Sequence, residues 1–217
     1  MLGSKTFEAW TAETLNAFER ALDDLVPAAA PAGLGEAMRY AVLGGGKRLR
    51  PLLVLATSET VSGNALAAMR SACAVELIHA YSLVHDDMPC MDDDVLRRGK
   101  PTTHVQFGEA QAMLAGDAMQ ALAFEVLTPD DGIPPALQAR LCALLARAAG
   151  HAGMAGGQAI DLASIGKKLD EATLQRRLAT DGPLELRWFE ADTVSLLEAQ
   201  VWGQAFEAPL FCDEVQI

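Results

Sequence analysis

The stretch Ala65-Leu66-Ala67-Ala68-Met69-Arg70-Ser71-Ala72-Cys73-Ala74-Val75-Glu76-Leu77-Ile78-His79-Ala80-Tyr81-Ser82-Leu83-Val84-His85-Asp86-Asp87-Met88-Pro89 decides the fold. Residues 64–88 form the longest uninterrupted helical pattern in the chain, and nearly every face of it is apolar or small. A helix apolar all round belongs at the centre of a bundle rather than on a surface. The pattern is expected to end at Met88-Pro89, because proline disfavours the helical conformation in the residue before it.

On either side the punctuation is also helical. Residues 5–25 read as an amphipathic helix carrying Phe7, Trp10, Leu15, Phe18, Leu22 and Leu25 at near-helical spacing. A short helix over 35–43 stops at Gly44-Gly45-Gly46, and Pro51 suits the first turn of the next, which runs to about Thr60. Further helices are expected over 104–127 and 134–150, and the glycines of 150–166 predict close packing or a bend. Neither a βαβ alternation nor an internal repeat is visible, so the fold class is all-α.

Composition agrees. Of the 217 residues, 51% are hydrophobic and only 6% aromatic. Abundant Ala and Leu favour helices, and one sizeable core can be buried at this length. The net charge of −12 argues against nucleic acid, which selects basic surfaces. No stretch approaches the eighteen or so apolar residues of a membrane span. Cys73, Cys90, Cys142 and Cys212 form no CxxC pair and read as reduced, mostly buried thiols. The N-terminus lacks an apolar signal core. These features lead to the expectation of a cytoplasmic protein.

Five aspartates, Asp86, Asp87, Asp92, Asp93 and Asp94, lie at the C-terminal end of the long apolar helix. Carboxylates there oppose the helix dipole and raise one another's pKa unless a cation joins them. A run that breaks a local rule this heavily points to function rather than to a solvated loop. It has neither the glycine and terminal glutamate of a calcium loop nor a zinc-type Cys/His set. Clustered carboxylates fit Mg²⁺, which keeps waters and is completed by substrate phosphates. Basic residues flank this run: Arg97, Arg98 and Lys100 follow it, and Lys47, Arg48 and Arg50 sit beside the triple glycine. Glycine lets backbone approach phosphate, and arginine grips it bidentately. Together they point to two diphosphate sites, one metal-bridged and one held by direct cations. His79 lies seven residues before Asp86, on the same helical stripe.

The segments Gly45-Gly46-Lys47-Arg48-Leu49-Arg50-Pro51, Glu76 to Asp92, Leu96-Arg97-Arg98-Gly99-Lys100-Pro101-Thr102 and Gly153 to Leu162 resemble bacterial farnesyl diphosphate synthases, all-helical trans-isoprenyl diphosphate synthases. The resemblance runs from the N-terminus to about Gln175. It implies an isoprenoid synthase-type bundle that acts as a homodimer. Asp86 and Asp92 would hold Mg²⁺ on an allylic diphosphate that Arg97 contacts, and Lys47, Arg50, His79 and Arg98 would bind isopentenyl diphosphate. No protein nucleophile or base is assigned. Tyr81 lies five residues, ~7.5 Å, before Asp86 along the helix. The family associates an aromatic there with a C15 product.

The implied reaction joins isopentenyl diphosphate head-to-tail to dimethylallyl or geranyl diphosphate, giving farnesyl diphosphate. After Gln175 the likeness stops. The family's Lys-Thr pair and second aspartate motif, DDxxD, do not follow, so residues 1–175 are expected to form the bundle, incomplete at its C-terminus. Residues 176–217 read as a divergent tail, consistent with a frameshift or altered gene end. Two further readings remain: a non-catalytic diphosphate-binding subunit or inactive remnant, and, less well supported by the two basic motifs, a class I terpene cyclase.

Overall fold

The computed structural model describes residues 6–130 and 132–165. The tail expected to diverge, and the second-motif question tied to it, lie outside these residues. The described part is helical apart from a two-residue-per-strand hairpin. Its elements are α1 (Phe7–Leu25), a 3₁₀ turn (Pro31–Gly33), α2 (Leu34–Val42), α3 (Leu49–Thr60), α4 (Ala65–Asp86), β1 (Leu96–Arg97), β2 (Lys100–Pro101), α5 (Thr103–Phe107), α6 (Glu109–Glu125), α7 (Pro135–Ala149) and α8 (Met154–Ser164). None of the described helices is long and apolar enough to cross a membrane.

Helix α4 is the centre of the bundle. Asn64 caps it, its side chain accepting the Ala67 N–H at 2.9 Å and so satisfying one of the orphan donors of the first turn. Thirteen of its residues are buried, among them Ala67, Ala68, Ala72, Ala74 and Ala80, whose small side chains admit neighbours closely. α6 and α3 are its main packing partners, while α1, α2 and α7 touch it less extensively. Phe18 and Leu22 of α1, Val54 of α3, Leu77 of α4, Met119 of α6 and Leu141 of α7 are fully enclosed. Each such side chain stabilises the fold by about 1.5–3 kcal/mol relative to exposure.

Three features differ from the sequence expectation. The central helix ends at Asp86, two residues early, because the chain turns back on itself before Pro89 is reached. The helix expected over 104–127 is two helices, divided at Gly108, whose φ of +86° no helix accommodates. The hairpin was not anticipated; its turn, Arg98-Gly99, has φ of +52° and +75°, as a two-residue I′ turn requires. The glycines after α7 act as the sequence led one to expect, with a break between α7 and α8 and a close approach: a Cβ on Gly153 would lie 2.0 Å from the Ala148 carbonyl oxygen.

Candidate diphosphate and metal site

The acidic corner is built by a reversal of the chain. Past the last turn of α4, Met91 N–H donates to Met88 O at 2.8 Å, Asp92 N–H to Asp86 O at 2.9 Å, and Asp93 N–H to Met88 O at 3.1 Å. Buried Met88 anchors this loop, while Pro89 and Cys90 form its exposed tip. The six-residue step between Asp86 and Asp92 is therefore closed by a backbone hydrogen bond, which puts the two residues side by side. Burial, and then the neighbouring Asp92, push the Asp86 carboxyl up to about 6, against the opposing pull of Arg97. Asp92 is raised as well, by partial desolvation first and then by Asp94, with Asp161 of α8 adding to the repulsion. Two crowded, destabilised carboxylates of hard oxygen are what a divalent cation would relieve. Among the described residues no set of three or more such ligands gathers.

Asp87 behaves differently. Adjacent helical residues are rotated by about 100°, so Asp87 cannot share the face of Asp86. It is buried, and its carboxylate accepts Arg97 Nε at 2.9 and 3.0 Å and Nη2 at 2.6 Å. This pair raises the Arg97 pKa despite burial.

The basic corner faces it across the hairpin. Arg98 Nη1 donates to the Gly45 carbonyl at 2.7 Å, and a Cβ on Gly46 would stand 2.6 Å from that same nitrogen. Tyr40 Oη donates to Pro101 O at 2.7 Å and Thr102 Oγ1 to Asp94 O at 2.7 Å, securing the hairpin at both ends. Lys47 is exposed in the glycine loop, and Arg50 is half-buried in the first turn of α3. His79 lies within the field of the nearby arginines. Burial and then Arg50, Arg98, Arg97 and Arg48 hold its pKa down to about 3, so the ring is neutral at physiological pH. An open depression between α2, α4 and the hairpin is lined by Tyr40, Gly45, Leu83, Arg97, Arg98 and Lys100, among others.

Arg48, grouped by sequence with the phosphate-facing cations, is placed elsewhere. Its side chain is buried against Glu19, Glu76 and the Val42 carbonyl. Tyr81 is buried on α4, its ring edge-on to His85 at 5.7 Å between centroids. Burial raises its phenol, with a hydrogen bond to Gln120 of α6 opposing this and Asp86 reinforcing it. His85 donates through Nε2 to the Met113 carbonyl at 3.1 Å, since a carbonyl can only accept.

The residues expected to act together thus fall into two groups. Asp86 and Asp92 are adjacent, and His79 shares the field of Arg50, Arg97 and Arg98. Sequence reasoning missed Asp87 as the clamp on Arg97, Gln120 beside Tyr81, and Asp161 near Asp92. Helical rotation could have separated Asp87 from Asp86. The other two depend on pairings between distant helices.

An all-α bundle whose central helix ends in a folded-back aspartate loop beside a twin-arginine hairpin defines an isoprenoid synthase fold. A family model described as polyprenyl synthetase matches residues 31–179, and the chain belongs to that family. It is 50% identical over 147 residues to a farnesyl diphosphate synthase of Geobacillus stearothermophilus, covering 67% of this chain and 50% of that protein. It is also 50% identical over 159 residues to the large subunit 1 of a heterodimeric chloroplastic geranylgeranyl pyrophosphate synthase of Arabidopsis thaliana, covering 72% of this chain and 43% of that one. The chain thus spans about half the length of the curated relatives it matches. Among solved structures, an FPP/GFPP synthase from Zymomonas mobilis superposes with a TM-score of 0.75 at 41% identity, covering 91% of this chain and 69% of that one. A geranyltransferase from Legionella pneumophila gives 0.77 at 33% identity, covering 93% and 68%.

Proposed function

We propose that the chain carries the diphosphate-binding half of a Mg²⁺-dependent trans-prenyltransferase, which joins isopentenyl diphosphate to dimethylallyl or geranyl diphosphate to give farnesyl diphosphate. The observation that carries this reading is the Asp92 N–H to Asp86 O bond at 2.9 Å, which sets two destabilised carboxylates beside the arginine hairpin. In this reading Asp86 and Asp92 hold the ion and Arg97 takes the allylic diphosphate. Lys47, Arg50, Arg98 and neutral His79 take isopentenyl diphosphate. Mg²⁺, when bound, neutralises the charge that builds on the departing diphosphate. The side chains do the rest by placement: Arg97 stays aimed by Asp87, the basic group orients the second substrate, and Tyr81 closes the tail pocket at C15 length. No protein nucleophile is needed, because the stabilisation is electrostatic. As in the family reading, the chain acts as a cytoplasmic homodimer.

The test is the purified full chain with Mg²⁺, labelled isopentenyl diphosphate and geranyl diphosphate. A C15 product supports the enzyme. Mg²⁺-dependent binding of both diphosphates without product supports the alternative of a non-catalytic binding subunit or inactive remnant, and no binding of either sinks both.

A further inference from the structure

We propose that Arg48 is a positioning residue for the isopentenyl diphosphate end of the site, its guanidinium locked between Glu19 and Glu76 so that the loop carrying Lys47 and the turn carrying Arg50 are held against α4, the helix of His79. This rests on the reading given above. Arg48 is 5% exposed and Glu76 6%. Its Nε donates to Glu19 Oε1 at 2.7 Å, Nη1 to Glu76 Oε1 at 2.6 Å, and Nη2 to Val42 O at 2.8 Å and Glu19 Oε2 at 3.3 Å. Three elements are therefore tied to one guanidinium: α1 through Glu19, α4 through Glu76, and the end of α2 through Val42. The plane also lies 5.8 Å from the centre of the Phe18 ring. With so many of its donors turned to protein acceptors, Arg48 cannot reach a diphosphate without dismantling this network.

Its position in the chain explains why the lock matters. Arg48 stands between Lys47 and the α3 turn that carries Arg50, and its own φ is +47°. A non-glycine residue held in this left-handed region persists only where its surroundings over-determine it. Glycine would hold that backbone without strain, so it is the side chain that the position requires. Glu76 precedes His79 by three residues on α4, nearly one turn, so the Arg48–Glu76 pair fixes the glycine loop directly against the helix that carries His79. Among the described residues, the Arg97–Asp87 pair and the Asp86–Asp92 loop share no bond with this network.

The experiment compares Arg48→Lys and Glu76→Gln with the parent chain, measuring isopentenyl diphosphate affinity alone and geranyl diphosphate affinity with Mg²⁺. Lysine keeps the charge but loses the fork. The expected result is about a tenfold loss for isopentenyl diphosphate, with geranyl diphosphate held within about twofold and helical circular dichroism preserved. Glu19→Gln, which trims the lock from its exposed side, gives about a threefold loss in the same direction and serves if the buried variants fail to fold. Equal losses for both ligands, or no loss for either, overturn the proposal. Lys47→Ala and Arg50→Ala separate the two levels. If these weaken isopentenyl diphosphate and the Arg48 and Glu76 variants do not, the positioning role alone falls. If they do not weaken it, the underlying site assignment falls and takes the positioning role with it.

Discussion

Arg97 and Asp87 meet fork to fork, with Nη2 2.6 Å from Oδ1 and Nε 3.0 Å from Oδ2, and the carboxylate is nearly sealed from solvent. The aspartate is fixed by burial and fixes the arginine in turn. Asp87→Asn keeps the shape but removes the charge. We expect it to cost about 2 kcal/mol in urea unfolding and to weaken Mg²⁺-dependent geranyl diphosphate binding about tenfold. Reduced stability with unchanged affinity would leave Asp87 a purely structural residue.

Gly46→Ala drives a methyl into the Arg98 guanidinium, 2.6 Å away, whereas Gly45→Ala at φ +83° meets nothing within 4 Å. Both glycines have positive φ, +83° at Gly45 and +152° at Gly46, so both substitutions strain the backbone, but only the one at Gly46 displaces Arg98. Isopentenyl diphosphate titrations should show about a tenfold greater loss for Gly46→Ala than for Gly45→Ala. Equal losses would mean that the cost is backbone strain alone.

Mg²⁺ must displace the proton from Asp86, whose carboxyl is pushed up to about 6. Ion affinity should therefore fall about tenfold per pH unit below that value and level off above it, in calorimetric titrations from pH 5 to 8. Asp86→Asn should bind weakly without the pH step; retention of the step would place the titrating group elsewhere. The same shift has the opposite sign for folding without metal. The folded chain binds this proton more tightly than the unfolded one, so Asp86 adds stability below about 3.8 and loses it as pH rises through about 6.

Tyr81→Ala removes a buried ring and should cost about 3 kcal/mol. In an active chain it should also lengthen the products seen by chromatography beyond C15. Gln120→Leu, which keeps the bulk and drops the hydrogen bond, should lengthen them less. An unchanged C15 product from Tyr81→Ala would remove the tyrosine from the tail pocket.

What could be read from sequence followed from periodicity and composition. The central helix is legible because its apolar residues leave no polar face, and the glycine loop because three glycines in a row cannot stay helical. The end of α4 lies two residues before the one that the proline alone predicts. Backbone bonds from Asp92 and Asp93 close the turn first. Gly108 was missed because a single glycine in a helical pattern is usually tolerated. Arg48 was misgrouped because sequence adjacency to Lys47 says nothing about side-chain direction. Its partners lie 29 and 28 residues away, on helices whose approach no local pattern reveals.

The hairpin gives the site a strict dependence on chain length. Its turn holds only Arg98 and Gly99, so one guanidinium is directed to the end of the central helix and the next to the glycine loop. Adding or deleting a residue there would re-aim one arginine and leave an anchor, Asp87 or the Gly45 carbonyl, without its cation. Pro89 and Cys90, at the exposed tip, neither donate nor accept in the three bonds that close the aspartate loop around them, so same-length substitutions there leave those bonds in place. Changes of residue identity compatible with this site should therefore gather at the tip and avoid the arginine turn, while changes of length are excluded from both.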